Sequence, residues 1–222
     1  MPTEPPPPRF RLPIVDPEGS DDLVGMGGGL DSGTVLAAYR HGMFPMHLQD
    51  GQLGWWSPRL RGILPLEGMR VSRSLAKSYR KYSYTVDAAT ERVIDACAAQ
   101  PRPHGWITPE IKNTYLHLHE LGWVHSVEAW SEGDELAGGL YGVGIAGLFA
   151  GESMFTHLRD ASKAALVYLV DILRKTGAEL LDTQWSTPHL ETLGVIEIDR
   201  GDYLHRLESA LAGTGPWARQ PR

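Results

Sequence analysis

Three polar residues sit where a chain of this composition would place apolar ones. Glu152 is the lone carboxylate in GLFAGESMF, residues 147–155, a run of glycine and large apolar residues that reads as a strand. Asp182 and Gln184 lie in ELLDTQ, residues 179–184, and their spacing of two puts both on one face of a strand. If the two strands share a sheet, two acids and one amide converge on a site for a cation or an amine. The plainer alternative is that all three face water, and the pattern alone leaves both open.

A second chemical feature is the charge distribution. The chain has 222 residues and a net charge of −6. Residues 59–81 carry Arg59, Arg61, Arg70, Arg73, Lys77, Arg80 and Lys81 against Glu67 alone. That segment is therefore +6, and everything else sums to −12. Arg73, Lys77, Arg80 and Lys81 fall at helical spacing on one face, which suits a polyanion such as a phosphate backbone. A solvated helix face is the ordinary alternative. Tyr79, Tyr82, Tyr84 and the pair Trp55–Trp56 are candidate stacking surfaces for unpaired bases, with core packing as the default.

Two other patterns fail. GMGGGLDSGT has Thr34 where a Walker loop needs Lys and Leu30 where a dinucleotide fingerprint needs Gly, so a structural turn is expected. His117 and His119 in HLHELGWVH are two apart on a helix and point to different faces, unlike a zinc pair. Cys97 is the only cysteine, which excludes an internal disulfide and fits a reducing cytoplasm. No apolar run approaches membrane-spanning length, and MPTEPPPPRFRLP has no apolar export core. Hydrophobic residues at 42% and charged ones at 22% are ordinary for a globular protein.

The elements that must position these residues follow from periodicity and caps. Residues 1–9 are Pro-rich and expected to be disordered. Asp31 or Ser32 caps a helix ended by Gly42; Ser72 caps the basic helix; a helix near 88–99 buries Val93, Ile94 and Cys97. Thr108 caps a helix with Pro109 at its first position and Ile111, Tyr115 and Leu118 on its buried stripe. VHSVEAW, LAGGLYGV and GLFAGESMF read as an antiparallel meander. ASKAALVYLVDILRKTG is a helix with Gly177 as its stop, ELLDTQ a further strand, and 202–211 a last helix. The fold class is α+β with a mainly antiparallel sheet. The expected organisation is a tail at 1–9, a small N-terminal domain at 10–62, a catalytic domain at 63–212 and a tail at 213–222.

The segments GGLDSGTVLAAYRHGMFP, LGWWSPRLRGILP, VSRSL, GWITPEI, YLHLHELGWVHSVEAW, LAGGLYGV, LFAGESMF, DASKAAL and LLDTQWSTPHLETLG resemble, in order, the leucyl/phenylalanyl-tRNA–protein transferase family. The resemblance implies a small N-terminal domain followed by a GNAT-like (acyl-CoA N-acyltransferase-like) domain. It implies transfer of Leu or Phe, and Met less well, from aminoacyl-tRNA to proteins beginning with Arg or Lys, marking them for degradation in the cytoplasm. No cofactor, metal or membrane is implied. Glu152, Asp182 and Gln184 would form the catalytic cleft, with Gln184 accepting a hydrogen bond from the attacking amine and Asp182 holding its amide; His189 is the alternative base. Glu152 would pair with the cationic acceptor. Trp106 would stack on the terminal adenosine, and Leu140, Phe149, Met154, Leu169, Leu173 and Leu181 would line the aminoacyl pocket. Arg73, Lys77, Arg80 and Lys81 would bind tRNA.

The chain departs from the family pattern at Met46, where many members have Trp, at Leu169 and Leu173, where some have Phe, and at Ala150, where others have Cys. Two rival readings are an acyl-CoA acetyltransferase and a non-catalytic tRNA-binding protein. Against the first, RDASKA, residues 159–164, has Ser162 where a pyrophosphate loop needs Gly.

Overall fold

The computed structural model describes residues 1–100 and 106–218. Residues 219–222 of the expected C-terminal tail and Gly105 of the GWITPEI segment lie outside them. The N-terminal part has a three-stranded sheet in the order β1 (Leu23–Met26), β3 (Leu53–Trp56), β2 (Phe44–His47). Between β1 and β2 lies helix α1 (Ser32–Arg40). The Asp31 carboxylate caps it, accepting from Thr34 N at 3.0 Å and from Thr34 Oγ1 at 2.7 Å. Gly42, at φ 78°, supplies the left-handed turn after it.

The chain then enters the main sheet earlier than expected. Strand β4 (Leu60–Ile63) straddles the expected boundary at 62/63 and lies inside a seven-stranded sheet of order β10-β4-β9-β8-β7-β6-β5. The other members are β5 (Ser83–Val86), β6 (Val124–Trp130), β7 (Leu136–Ile145), β8 (Leu148–Thr156), β9 (Leu180–Gln184) and β10 (Ile196–Asp199). The meander β6-β7-β8 is as expected. All neighbours are antiparallel except β8 and β9. Helix α5 (Ala161–Thr176) carries the chain from β8 to the parallel β9.

The sheet has a core on each face, which is why β7 is buried at all ten of its residues. Successive strand residues point alternately: Tyr141 and Ala150 join one cluster, Leu140 and Phe149 the other. The first face is covered by α1, α3 (Thr90–Ala98), α4 (Pro109–Glu120) and α7 (Arg200–Ala212). The second is covered by α2 (Arg73–Tyr79) and α5, whose Leu166, Leu169, Val170 and Leu173 are buried. A short helix, α6 (Pro188–Leu193), follows β9, capped by Thr187. Among the described residues no helix is long and apolar enough to cross a membrane.

Residues 1–9 form no helix or strand, yet they do not behave as the loose tail expected from composition. Thr3 N donates to Leu121 O, Trp123 Nε1 donates to Thr3 O, and Arg40 forms a two-pronged pair with Glu4. The segment passes so close to α1 that a Cβ at Gly33 would run into the Pro6 carbonyl.

Candidate active site

The wedge between β8 and β9 makes the site. Their parallel pairing runs only from Leu148↔Leu180 to Ala150↔Asp182, while β8 continues to Thr156. Beyond that point a cleft of about 440 Å³ opens, closed on its far side by α6. Its apolar walls are Leu140, Phe149, Met154, Leu166, Leu169, Leu181 and Leu190, and its polar rim includes Glu152, Thr183, Gln184, Thr187 and His189.

Glu152 is in the cleft because of a β-bulge. Tyr141 pairs with Ser153 and Gly142 with Gly151, so Glu152 is the extra residue on β8. A bulge bends its strand and re-aims the side chain it carries. The Glu152 carboxylate receives Tyr39 Oη at 2.7 Å, Tyr115 Oη at 3.1 Å and Gln184 Nε2 at 3.1 Å. Tyr39 and Tyr115 also hydrogen-bond each other. Three oxygen–oxygen contacts therefore link Glu152, Tyr39 and Tyr115. Burial raises the Glu152 carboxyl to about 7, against the lowering effect of the two phenol hydrogen bonds. Both phenols are pushed up, by burial first and then by the Glu152 charge, and remain donors.

Asp182 sits under the site, not in it. It is completely buried and does not line the cleft. Its two oxygens take Arg61 Nε at 2.9 Å and Arg61 Nη2 at 2.6 Å, the Tyr203 hydroxyl at 2.9 Å and the backbone N of Gln184 at 2.9 Å. Burial, the largest single effect, would lower the Arg61 guanidinium, but the Asp182 charge and hydrogen bond together with the nearby tyrosines outweigh it, and the net shift is upward. So Asp182 holds the Gln184 main chain, whereas the Gln184 amide is held by Glu152. Gln184 itself has φ 60°, a left-handed conformation that a non-glycine residue adopts only when its surroundings fix it. The tight passage of β9 past β4 needs Gly62, where a Cβ would meet the backbone of Trp185 and Ser186.

Other expected residues are placed as follows. Leu140, Phe149, Met154, Leu169 and Leu181 line the cleft together; Leu173 is fully buried in the core behind it. Trp106 is partly buried against the first-face core and is not part of the cleft wall. His189 is largely exposed on the rim, and partial burial followed by the Lys163 charge lowers its imidazole. Ser72 caps α2 as expected, through Leu75 N. The helix ends at Tyr79, however, so only Arg73 and Lys77 lie within it, with Arg80 at the cap and Lys81 in the turn beyond. All four are exposed.

One expectation from composition is corrected, and for Tyr84 and Trp55 the default of core packing holds. Arg61 does not belong to the exposed basic surface, since it is buried and paired with Asp182. The tyrosines near α2 are not open platforms: Tyr84 is stacked between Tyr79 and Tyr168, with centroids 4.8 Å away on each side. Trp55 is buried and donates to Gly27 O. Among the described residues no group of three His, Cys, Asp or Glu could hold a metal ion.

Sequence reasoning missed Arg61, Tyr39, Tyr115, Tyr203 and Trp185 as parts of the site. One signal existed: an acid in the apolar strand LLD demands a buried cation. Nothing in the sequence said which cation.

The profile of the leucyl/phenylalanyl-tRNA protein transferase family matches residues 63–208, and that of the family's N-terminal domain matches residues 28–59. The chain belongs to this family. A leucyl/phenylalanyl-tRNA–protein transferase of Novosphingobium aromaticivorans is 53% identical over 79% of this chain and 69% of its own length. Those of Pseudoalteromonas atlantica and Chlorobaculum parvum are 44% and 50% identical, over 93% and 80% of this chain and 87% and 94% of theirs. The structure of L-PGS from Bacillus licheniformis overlaps at a TM-score of 0.37 and 12% identity, over 66% of this chain and 48% of that one, at which level the likeness decides nothing. As a member of the family the chain is an enzyme, an aminoacyltransferase. The cleft between β8 and β9 is thus the candidate active site of a family that transfers aminoacyl groups from tRNA to proteins.

Proposed function

We propose that this enzyme moves Leu or Phe, and Met less well, from aminoacyl-tRNA to the α-amine of cytoplasmic proteins beginning with Arg or Lys, which marks them for degradation. The observation that carries the reading is the Gln184–Glu152 hydrogen bond at the polar rim of an apolar cleft. The catalytic domain is taken as GNAT-like, supported by the order helices, meander, helix, strand.

The chemistry is aminolysis of an ester that is already activated. The acceptor nitrogen bonds to the carbonyl carbon, the bond to the ribose oxygen breaks, and that oxygen takes up a proton as the amine loses one. A free α-amine has a pKa of roughly 7.7–8.0, so a useful fraction is neutral at cytoplasmic pH. Holding amine and carbonyl in contact can account for about 7–11 kcal/mol of the barrier.

The donor side chain occupies the pocket formed by Leu140, Phe149, Met154, Leu169 and Leu181, with Leu173 backing it. An ionised Glu152 accepts only, so it fixes the Gln184 amide with Nε2 toward itself. The amide oxygen is then left to accept from the attacking amine. Asp182 acts through the backbone of Gln184, keeping it in its left-handed conformation. Glu152 also presents negative charge to a cationic acceptor. Trp106, at the head of α4, is assigned a stacking role at the terminal adenosine, and Arg73, Lys77, Arg80 and Lys81 a role on the tRNA backbone.

The acyl-CoA reading gains no support at the start of α5. The carboxylate of Asp160 stands there, near Lys163 and Arg159, where a pyrophosphate would need neutral backbone donors. The deciding experiment is a transfer assay with separately charged Leu-, Phe- and Met-tRNA and peptides beginning with Arg, Lys or Ala. Transfer of Leu and Phe to the first two peptides only is expected. Transfer that ignores the first residue of the peptide would overturn the acceptor assignment.

A further inference from the structure

A second cavity, also of about 440 Å³, lies between the start of α2, the head of α5 and the end of α6. Its walls include Arg70, Ser72, Ser74, Asp160, Lys163 and Thr192. It shares two helices with the cleft. From α6, His189 and Leu190 line the cleft and Thr192 lines this cavity; from α5, Leu166 and Leu169 line the cleft and Lys163 this cavity. A helix with its side chains is about 10–12 Å across, so the two openings are neighbours. The main chain fixes one wall. Arg70 N donates to Leu193 O at 2.9 Å, and Gly194, at φ 106°, packs so tightly that a Cβ there would run into the Gly68 carbonyl.

The charges of this cavity are not balanced. Arg70 is exposed, and among the described residues its guanidinium has one hydrogen bond, to the Glu191 carbonyl at 3.4 Å, and no carboxylate partner. Lys163 Nζ stands 3.8 Å from Asp160 Oδ1, a loose pair. The other Asp160 oxygen receives Ser78 Oγ at 2.9 Å and faces Arg159 Nε at 3.6 Å. Asp160 is thus shared among three groups, while the Arg70 charge is unmet. Ser72 Oγ and Ser74 Oγ are 2.9 Å apart, so one of the two hydroxyl hydrogens serves that bond and the other is available to a ligand. A guanidinium, an ammonium and a hydroxyl lining one cavity suit a small anion with several oxygens. In the aminoacyl-tRNA reading proposed above, on which this inference rests, the ester carbonyl sits at Gln184 and the unpaired strand behind it must leave the cleft toward the basic residues of α2. This cavity lies on that route. We propose that it binds the phosphodiester joining the last two nucleotides of the donor, with Arg70 and Lys163 as its ligands. Asp160, which opposes a more highly charged pyrophosphate at the head of α5, is compatible with a single negative charge held from the Arg70 side.

The test compares two minimal donors with one Arg-initiated peptide as acceptor. Both are leucyl esters of cytidylyl-adenosine, one with its natural phosphodiester and one with an uncharged methylphosphonate in its place. The readout is the ratio of their kcat/KM values. Bases, ribose and ester are common to the two, so only the charge is compared, and any influence of Lys163 on His189 cancels. Charge-assisted hydrogen bonds correspond to at least about 10-fold in affinity, and the wild type should prefer the phosphodiester by that much. Arg70→Ala and Lys163→Ala should each lower the preference, chiefly through KM, and together bring the ratio close to one. Arg70→Lys should keep most of it, and so should Lys77→Ala with Arg80→Ala. Should Arg70→Ala lose its cooperative thermal transition, Lys163→Ala, on the opposite wall, decides alone. The proposal is overturned if the wild type uses both donors equally, or if the Arg70 and Lys163 variants keep the full ratio. It is also overturned if the Lys77 and Arg80 variant loses the ratio in their stead, which would place this phosphate on α2. If the wild type transfers from neither dinucleotide donor nor whole aminoacyl-tRNA, the transferase reading itself falls, an outcome distinct from the others.

Discussion

At the residue scale, the two carboxylates of the site have opposite duties. Asp182 is spent on structure, and removing either member of its pair with Arg61 leaves a buried charge without a partner. Such losses cost about 3–5 kcal/mol. Asp182→Ala and Arg61→Ala should therefore lower the denaturant midpoint severely, with activity falling as a consequence. Gln184→Ala should instead leave the midpoint nearly unchanged and reduce transfer by at least ~10-fold, about 1.4 kcal/mol. Equal stability of the Asp182 and Gln184 variants would refute the division of labour. Glu152 has a folded-state carboxyl raised to about 7, above its ordinary carboxylate range. The native state then holds a proton that the unfolded state has released, so stability contributed by this group is present below about pH 4.5 and is lost as pH rises through about 7. At roughly 1.4 kcal/mol per pH unit, the change is on the order of 3 kcal/mol. Chemical denaturation from pH 4.5 to 8 should show this decline in the wild type, and Glu152→Gln should flatten it.

At the element scale, the basic helix is shorter than its charge pattern suggests. Arg73 and Lys77 lie within α2, while Arg80 and Lys81 follow where the helix turns away, so the four do not form one straight stripe. They remain exposed, and a phosphate backbone contacting them should show it in salt. Lys77→Ala with Arg80→Ala should reduce the slope of log K against log salt for charged tRNA by roughly 0.7–0.9 per lost contact. An unchanged slope would mean that tRNA docks elsewhere. The legibility of elements followed their local signals. Helices with a side-chain cap or a terminal glycine, at Asp31, Ser72, Thr108 and Gly177, could be read directly because the signal lies within a few residues. The four-residue strands FPMH, LGWW, LRGI, SYTV and IEID could not, because they are too short to display a period and exist only through their partners. In the site, Glu152 and Gln184 were legible as polar residues in apolar strands. Arg61 was not, since an arginine counted among seven surface cations looks the same whether or not an acid waits for it 121 residues later.

At the scale of the whole molecule, distant parts of the chain hold one another. The first nine residues lie across α1 and reach the α4–β6 turn, which ties the small sheet to the large one. Gly33→Ala should displace this strap, because its new Cβ meets the Pro6 carbonyl. Deleting residues 1–9 should lower Tm by several degrees, roughly what 1–2 kcal/mol gives for a chain of this size. Gly33→Ala should cost less in the truncated protein than in the full chain, and a double-mutant cycle measures the difference. Full additivity would show that the strap and α1 are energetically separate.

The Arg61–Asp182 pair also sets an order of events during synthesis. Asp182 is made 121 residues after Arg61, and at roughly 5–20 residues per second that is on the order of 10 s. Throughout that interval β4 carries a cation intended for the interior with nothing to neutralise it, and β9, its neighbour in the sheet, does not yet exist. The strands of the N-terminal sheet have all been made by then, but β4 cannot yet join the large sheet through β9. The strand that brings Gln184 to the cleft also brings the carboxylate that lets β4 settle beside it. Completion of the fold and assembly of the active site are thus one late event. A nascent chain halted between Arg61 and Asp182 should remain open, sensitive to protease around β4, and without transferase activity.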